Sequence, residues 1–354
     1  MRCGKEEIRR KSGCFEDRYH GIITMRYSAC TCQGLRRKAR LNDKYIAPSG
    51  LRPGRLFNLE AKILELGFIG AGKVGSALAV LLQRAGYSLV GVASRTNESA
   101  RVLAERLNCP ALPGKELAAK SEALFLTTSD DAIAPLTAEL AREKAFHPGQ
   151  LVLQMSGALS SQVLQPAAEM GAITLSLHPI QCFAGVEQAI ALIPGTYFSI
   201  EGDARGYVLA EKMVEDIGGK HFLLDSKAKV LYHAAACVAG NYLVALLDTA
   251  LSLLAEAGVP EEIRLPAFLP LVTGTLENVK KLGITKALTG PISRGDRGTV
   301  EKHLAAMENL PLLADIYQTL GLATVGIALK KGTINEEQAA ALRSLLADHW
   351  NGIH

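Results

Sequence analysis

Aromatic residues, zinc-spaced cysteines and long apolar runs are all scarce in this sequence, and each scarcity removes a class of function. Phe, Trp and Tyr make up 5% of 354 residues while apolar residues reach 48%. That balance fits an alanine- and leucine-rich α/β protein with room for two cored domains. No uninterrupted apolar run reaches the roughly 18 residues of a membrane-spanning helix, so no membrane contact is expected. Of seven cysteines, Cys3, Cys14, Cys30 and Cys32 crowd the N-terminal segment, and Cys109, Cys182 and Cys237 are scattered. None forms a CxxC pair or joins a Cys/His cluster of zinc spacing, which predicts no metal site and a reducing, cytoplasmic setting. Basic surface is missing too. Residues 1–60 hold 14 Lys and Arg against 6 Asp and Glu, a net +8, so the remainder carries −4 of the total +4. A mildly acidic body gives no reason to expect nucleic acid as a partner.

Residues 1–60 show neither helical nor strand periodicity and read as a disordered extension. They lack the apolar core and cleavage site of a secretory signal, and their acidic residues disfavour an organellar transit peptide. The folded part is expected to begin after them.

What the sequence does have is the stretch 62–96, KILELGFIGAGKVGSALAVLLQRAGYSLVGVASRT. An apolar run, Ile63 to Ile69, enters Gly70, Gly72 and Gly75. Val74, Leu78, Leu81 and Leu82 then recur at helical spacing before a second strand. A lone glycine motif is weak; this strand, turn, helix and strand in order make it specific. Gly70 permits the tight turn, Gly72 lets a pyrophosphate approach the backbone, and Gly75 lets the helix pack on its strand. Phosphates are expected on the free N–H groups of the turn and of Lys73, Val74 and Gly75, at the positive end of the helix dipole. Where NAD is bound, an acidic residue ends the second strand and takes the ribose 2′-hydroxyl. Here Ser94, Arg95 and Thr96 stand in that place. A guanidinium and two hydroxyls suit a 2′-phosphate, so NADP is preferred over NAD. The plainer alternative leaves Arg95 a solvated loop residue.

The alternation continues with helices expected over 98–107, 115–120, 131–142 and 160–170. Strands are expected near Ala111 and over 123–128, 151–155 and 173–177, followed by strands 197–200 and 221–224 around a helix 204–217. The predicted fold is α/β: a doubly wound Rossmann-type sheet over 61–225, then an all-α domain over 226–354. The second part is punctuated at Gly258-Val259-Pro260, Gly283, the 289–298 loop, Pro311 and Gly332.

Ligands of such a sheet bind beyond the carboxyl ends of its strands, so polar residues there are the candidates. Thr128 and Ser129 follow one strand and face the nicotinamide half of a cofactor. Asp130 and Asp131 beside them equally read as a helix cap and a first-turn acid. Ser156 ends the next strand and His178 the one after, ahead of Pro179, Ile180 and Gln181. Proline keeps His178 on a turn at the cleft, where an imidazole can exchange a proton near neutral pH or merely bond a carbonyl. Lys229, His233, Cys237 and Asn241 recur every four residues along one face of the first helix of the second domain. Small residues from Ala234 to Gly240 would admit a cofactor there, while a satisfied core histidine is the plainer reading of His233. Arg294, in the 287–298 loop, could hold a carboxylate or phosphate bidentately, or pair with Asp296 in a purely architectural loop.

Together GFIGAGKVG with SRT, SGALSSQVLQP, SLHPIQCFAG, YHAAACVAGNYLVAL and ALTGPISRGDRGTVEKHL carry a resemblance. Over about residues 62–330 the chain resembles Rossmann-like proteins whose C-terminal half is a domain of unknown function. These are relatives of ketopantoate reductase, pyrroline-5-carboxylate reductase and the deazaflavin-dependent NADP reductases. The resemblance implies a helical half like that of 6-phosphogluconate dehydrogenase, and NADP as cofactor, but no substrate. In the resembled family a histidine usually stands two residues before Ser156; here it is Gln154. The better-known relatives polarise the substrate carbonyl with a lysine and an asparagine on the first helix of the helical half, where this chain offers Lys229, His233 and Asn241. The expected activity is hydride transfer between a nicotinamide and a small carbonyl, imine or alcohol, in a homodimer formed through the helical half. His233 is the first candidate acid, Asn241 holds the substrate oxygen, and His178 is the second acid. Gln181, Lys229, Arg294 and Asp296 are the expected substrate-side residues. The alternative is an NADP-binding sensor or scaffold without turnover, which the loss of a histidine at Gln154 favours.

Overall fold

In the computed structural model, which describes residues 64–348, strands and helices alternate as the glycine motif requires. The order is β1 (Glu65–Ile69), α1 (Lys73–Arg84), β2 (Ser88–Ala93), α2 (Asn97–Leu107), α3 (Gly114–Lys120), β3 (Ala123–Leu126), α4 (Asp130–Arg142) and β4 (Leu151–Gln154). A 3-10 turn (Ser161–Leu164) and the short α5 (Gln165–Ala168) lead to β5 (Ile173–Pro179), α6 (Val186–Leu192), β6 (Tyr197–Gly202), α7 (Tyr207–Asp216) and β7 (Lys220–Leu223). The strand order is β2-β1-β3-β4-β5-β6-β7. Strands β1 to β5 are parallel, and β6 runs antiparallel to β5. The chain therefore switches direction across the sheet between β1 and β3, which opens a crevice beyond their carboxyl ends. The extension expected over residues 1–60 lies outside the described residues.

Three expectations need correction. The strand near Ala111 is a single bridge from Val92 to Ala111; Pro110 and Pro113 flank it, and proline cannot donate to a ladder. The expected helix 160–170 is split, because Pro166 lacks the N–H that would bond back one turn. His178 does not sit on a turn: β5 continues through it, with His178 opposite Ser199 and Pro179 opposite Phe198. The helix α6 has no counterpart among the expected elements.

Apolar side chains cover the sheet on both faces. Leu78 and Leu82 of α1, Leu103 of α2 and Met213 of α7 pack on one, and Leu117 of α3, Ile133 and Leu140 of α4 pack on the other. Phe68 and Phe125 stack within the first, ring centroids 4.5 Å apart.

After β7 the strands stop. The remaining helices are α8 (Lys229–Ala239), α9 (Asn241–Glu256), α10 (Glu261–Leu282), α11 (Ile284–Ala287), α12 (Arg297–Ala306), α13 (Pro311–Lys331) and α14 (Glu336–Asp348). Val300, Leu304, Val325, Ala328, Leu342 and Leu346 of α12, α13 and α14 make a core with Ile292. Helices α8, α9 and α10 bury no apolar side chain at all, and Val230, Leu231, Val244 and Leu271 are each more than 60% exposed. Two apolar stretches, Ser226–Glu256 and Pro311–Lys331, are long enough by length and composition to cross a membrane. Counting uninterrupted runs misses the first because His233, Asn241 and Asp248 break it.

Candidate functional site

The turn after β1 is built for close approach. Gly70 has φ of +118°, open to glycine at no steric cost, and a Cβ there would fall 2.6 Å from the backbone of Thr127. A Cβ on Gly75 would fall 2.2 Å from Thr127 Oγ1 and 2.5 Å from the Gly70 carbonyl oxygen. Thr127, which opens the polar stretch after β3, pins the turn by donating to that carbonyl at 2.7 Å. The exposed Gly72 precedes α1 with no side-chain cap, and no acidic residue lies in the first turn. The first helical bond runs from Ser76 N–H to the Gly72 carbonyl, so the N–H groups of Lys73, Val74 and Gly75 are left for a ligand. At the end of β2, Ser94 is half-buried and Arg95 is exposed with no ion pair among the described residues. Thr96 Oγ1 donates to Ser99 Oγ at 2.7 Å. An uncapped helix start, a glycine turn open at Gly72 and an unpaired guanidinium fit the pyrophosphate and 2′-phosphate of a dinucleotide.

The carboxyl ends of β4 and β5 meet α8. Ser156 Oγ donates to Asp130 Oδ2 at 2.7 Å and accepts from Ala158 and Leu159 N–H at 3.1 and 3.0 Å. Its hydroxyl is thus used to shape the turn, and Asp130 does more than begin α4. Gln154 is fully buried; its amide donates to the Leu159 carbonyl at 2.8 Å and its oxygen accepts from Ser156 N–H. The side chain at this position clamps the turn from inside. Thr128 and Ser129 lie between this turn and the glycine turn, and the Thr128 hydroxyl is buried without a partner among the described residues.

His178 Nδ1 lies 2.7 Å from Tyr232 Oη, and its ring meets His233 edge to face at 6.3 Å between centroids. Burial, with Lys229 and His233 nearby, pushes His178 down to about 4, so it is neutral at physiological pH. His233 Nε2 lies 3.6 Å from Cys237 Sγ, and its Nδ1 is buried with no partner among the described residues. Lys229 is only 1% exposed, which its place on the polar stripe does not suggest. Its ammonium donates to Ser176 Oγ at 2.6 Å and lies 5.5 Å from the centre of the Tyr232 ring. Burial pushes it down to about 8, against the pull of Glu201 and Asp130.

The structure therefore gathers His178, His233 and Lys229 but not the rest. Asn241 is exposed at the start of α9, beyond the kink at Gly240. Gln181 accepts from Cys182 N–H and is exposed beside Ile180, Tyr197 and Phe222. Arg294 is exposed in the helical half near Leu288, Thr289 and Lys331. Asp296 caps α12, accepting from Thr299 N–H at 3.0 Å and Thr299 Oγ1 at 2.7 Å. Tyr232, Ser176 and Glu201 were not legible as site residues. Tyr232 sits beside His233 but about 100° round the helix, off the stripe that draws attention.

Residues 51–179 match the model of a Rossmann-like domain, and residues 196–324 match that of a domain of unknown function (DUF2520). No curated protein matches this chain. A Bacteroides fragilis protein assigned as an NADP oxidoreductase shares the fold, with a TM-score of 0.59 and 23% identity, over 74% of this chain and 98% of its own. A Thermotoga maritima protein does so with 0.58 and 26%, over 80% and 98%. An imine reductase from Myxococcus stipitatus in complex with NADP+ gives 0.51 and 20%, over 80% and 93%. These likenesses place the Rossmann-like chain in one fold with them.

Proposed function

We propose that this protein is an NADP-dependent oxidoreductase acting on a small carbonyl, imine or alcohol. The observation that carries the reading is the pairing of two features along the carboxyl edge of the parallel strands of one sheet. An uncapped α1 with Arg95, unpaired among the described residues, would hold the cofactor, and two imidazoles stand at the end of β5 and on α8, His233 with a buried Nδ1 that has no partner among the described residues. The fold shared with an NADP oxidoreductase and an NADP+-bound imine reductase supports it.

Gly70, Gly72, Lys73, Val74 and Gly75 would hold the pyrophosphate, Ser94, Arg95 and Thr96 the 2′-phosphate, and Thr128, Ser129 and the Ser156 turn the nicotinamide side. When bound, the cofactor supplies or takes a hydride at its nicotinamide ring. The chain's own part is to orient the substrate and manage the accompanying proton, with His233 first and His178 second. Lys229, enclosed at Ser176, adds positive potential behind them rather than a substrate contact. Asn241 and Arg294 come near a substrate only in an assembly. We assign that assembly to a homodimer through α8, α9 and α10, whose exposed apolar side chains are left uncovered among the described residues. Asp248, Glu256, Glu261, Glu262 and Glu277 on α9 and α10 suit a second protein surface better than lipid.

The test is NADPH oxidation across a panel of carbonyl and imine acids. His233→Ala should cost turnover about 10²- to 10⁴-fold, the usual worth of a positioned acid or base, while leaving NADPH affinity unchanged. Equal loss of both makes His233 structural, and NADPH binding with no turnover favours the sensor reading.

A further inference from the structure

The helical half holds a cleft of its own. It has a volume of about 450 Å³ and is walled by the loop 288–294 on one side and by the end of α13 with Thr333 on the other. Arg294 and Lys331 line it, and no acidic residue does among the described residues. The two cations are held differently. Lys331 is half-buried, and its ammonium donates to the Leu288 carbonyl at 2.6 Å. That bond fixes it over the loop with two protons still to give. Arg294 is exposed and makes no hydrogen bond or ion pair among the described residues. The carboxylate that feels its charge, Asp296, is spent on the Thr299 N–H and hydroxyl.

The loop adds neutral donors. After α11 the chain passes through Gly290 at a φ of +96°, a value open to glycine at no steric cost, ahead of Pro291 and the 3-10 turn Ile292–Arg294. The N–H groups of Thr289 and Gly290, and the Thr289 hydroxyl, have no hydrogen-bond partner among the described residues. Successive free N–H groups in a turn form a concavity that favours anions. The hydroxyls of Ser293 and Thr333 lie 3.4 Å apart on the wall between the two cations, so that wall is polar as well.

We propose that this cleft is a binding site for a phosphate group, free or esterified to a small molecule, with Arg294 and Lys331 as its two cations. The site stands on the helical half alone and is independent of the oxidoreductase reading. A phosphate monoester carries about −1.5 to −2 charge at neutral pH on three acceptor oxygens, which matches two cations. A carboxylate offers one charge and two oxygens, fewer than the donors that line the cleft. The Arg294 fork can take two phosphate oxygens side by side, while the Lys331 ammonium acts as a point charge. Because Lys331 is already tied to Leu288, little of its freedom is lost when a ligand arrives. The volume lies within the roughly 300–1,000 Å³ of small-molecule sites, and Leu288 gives the organic part of an ester an apolar surface.

The test is isothermal titration calorimetry of the full-length protein with inorganic phosphate, ethyl phosphate and acetate, at neutral pH and constant ionic strength. Inorganic phosphate should bind, and Arg294→Ala and Lys331→Met should each weaken that binding about 10-fold or more, the worth of one charge-assisted contact. Arg294 holds no contact that folding needs, so its variant should melt with the native protein. Acetate should bind at least about 10-fold more weakly than phosphate. Ethyl phosphate binding as tightly as the inorganic ion assigns an ester to the site, and its exclusion assigns the free ion. Absence of phosphate binding, or acetate binding equally well, overturns the proposal. So does phosphate binding that survives Arg294→Ala and is lost in Arg95→Ala, since the ion then sits at the glycine turn. Failure of NADPH to bind would strike only the oxidoreductase reading, so the two failures are distinguishable.

Discussion

Replacing Lys229 by Met should change how stability depends on pH. The ammonium is buried to 1% exposure with one hydrogen bond, to Ser176 Oγ at 2.6 Å, and its ionisation is moved from 10.5 to about 8. Because the folded chain releases this proton more readily than the unfolded chain, the unfolded state binds more protons between about pH 8 and 10.5. Stability contributed by this group therefore rises with pH across that window and is fully depressed below it. A shift of this size is worth about 3 kcal/mol at about 1.4 kcal/mol per unit. Met fills the same channel without a charge, so the depression disappears, while Ser176 loses its donor at a cost of about 1–3 kcal/mol. The net change at neutral pH is thus small, and the slope carries the signal. Urea unfolding of both proteins at one protein concentration, from pH 7 to 10.5, measures it. The native chain should gain about 3 kcal/mol on the variant as pH rises. A difference constant within about 0.5 kcal/mol would show that Lys229 does not ionise as a buried group.

Two further outcomes follow from packing. Gly75→Ala forces a methyl within 2.2 Å of Thr127 Oγ1 and 2.5 Å of the Gly70 carbonyl; it should lower stability by about 1–3 kcal/mol, as overpacking does, and weaken NADPH binding, with thermal melting and titration as readouts. Val230→Asp combined with Leu271→Asp, on helices with no buried apolar side chain, should turn a dimer into a monomer by sedimentation, whereas a monomeric unaltered protein would refute the assembly.

Much of the sheet was legible because its signals are local. GFIGAGKVG sets strand, turn and helix within a dozen residues, and each later strand is a short apolar run bounded by turn residues. The misreadings come from non-local causes. His178 looks like a turn residue beside its proline, yet antiparallel pairing with β6 carries the strand through both. Lys229 reads as a substrate-side member of a polar stripe, yet the fold encloses it against Ser176, because one helix face says nothing of what packs on it. Gln154 reads as a lost catalytic group until its amide is seen clamping the turn to Leu159. His178 and His233 meet over Gly157, where a Cβ would clash with both rings, and spacing carries no trace of a contact between residues so distant in sequence.

The central claim is that the glycine turn and Arg95 bind NADP. Fluorescence titration of the purified protein with NADPH and with NADH, repeated on Arg95→Ala, tests it most directly. NADPH should bind more tightly than NADH, and the variant should lose about 10-fold or more in NADPH affinity, as expected for one charge-assisted contact worth roughly 1.5–3 kcal/mol, with NADH unchanged. Failure of both nucleotides to bind would contradict the account, and the oxidoreductase reading would go with it.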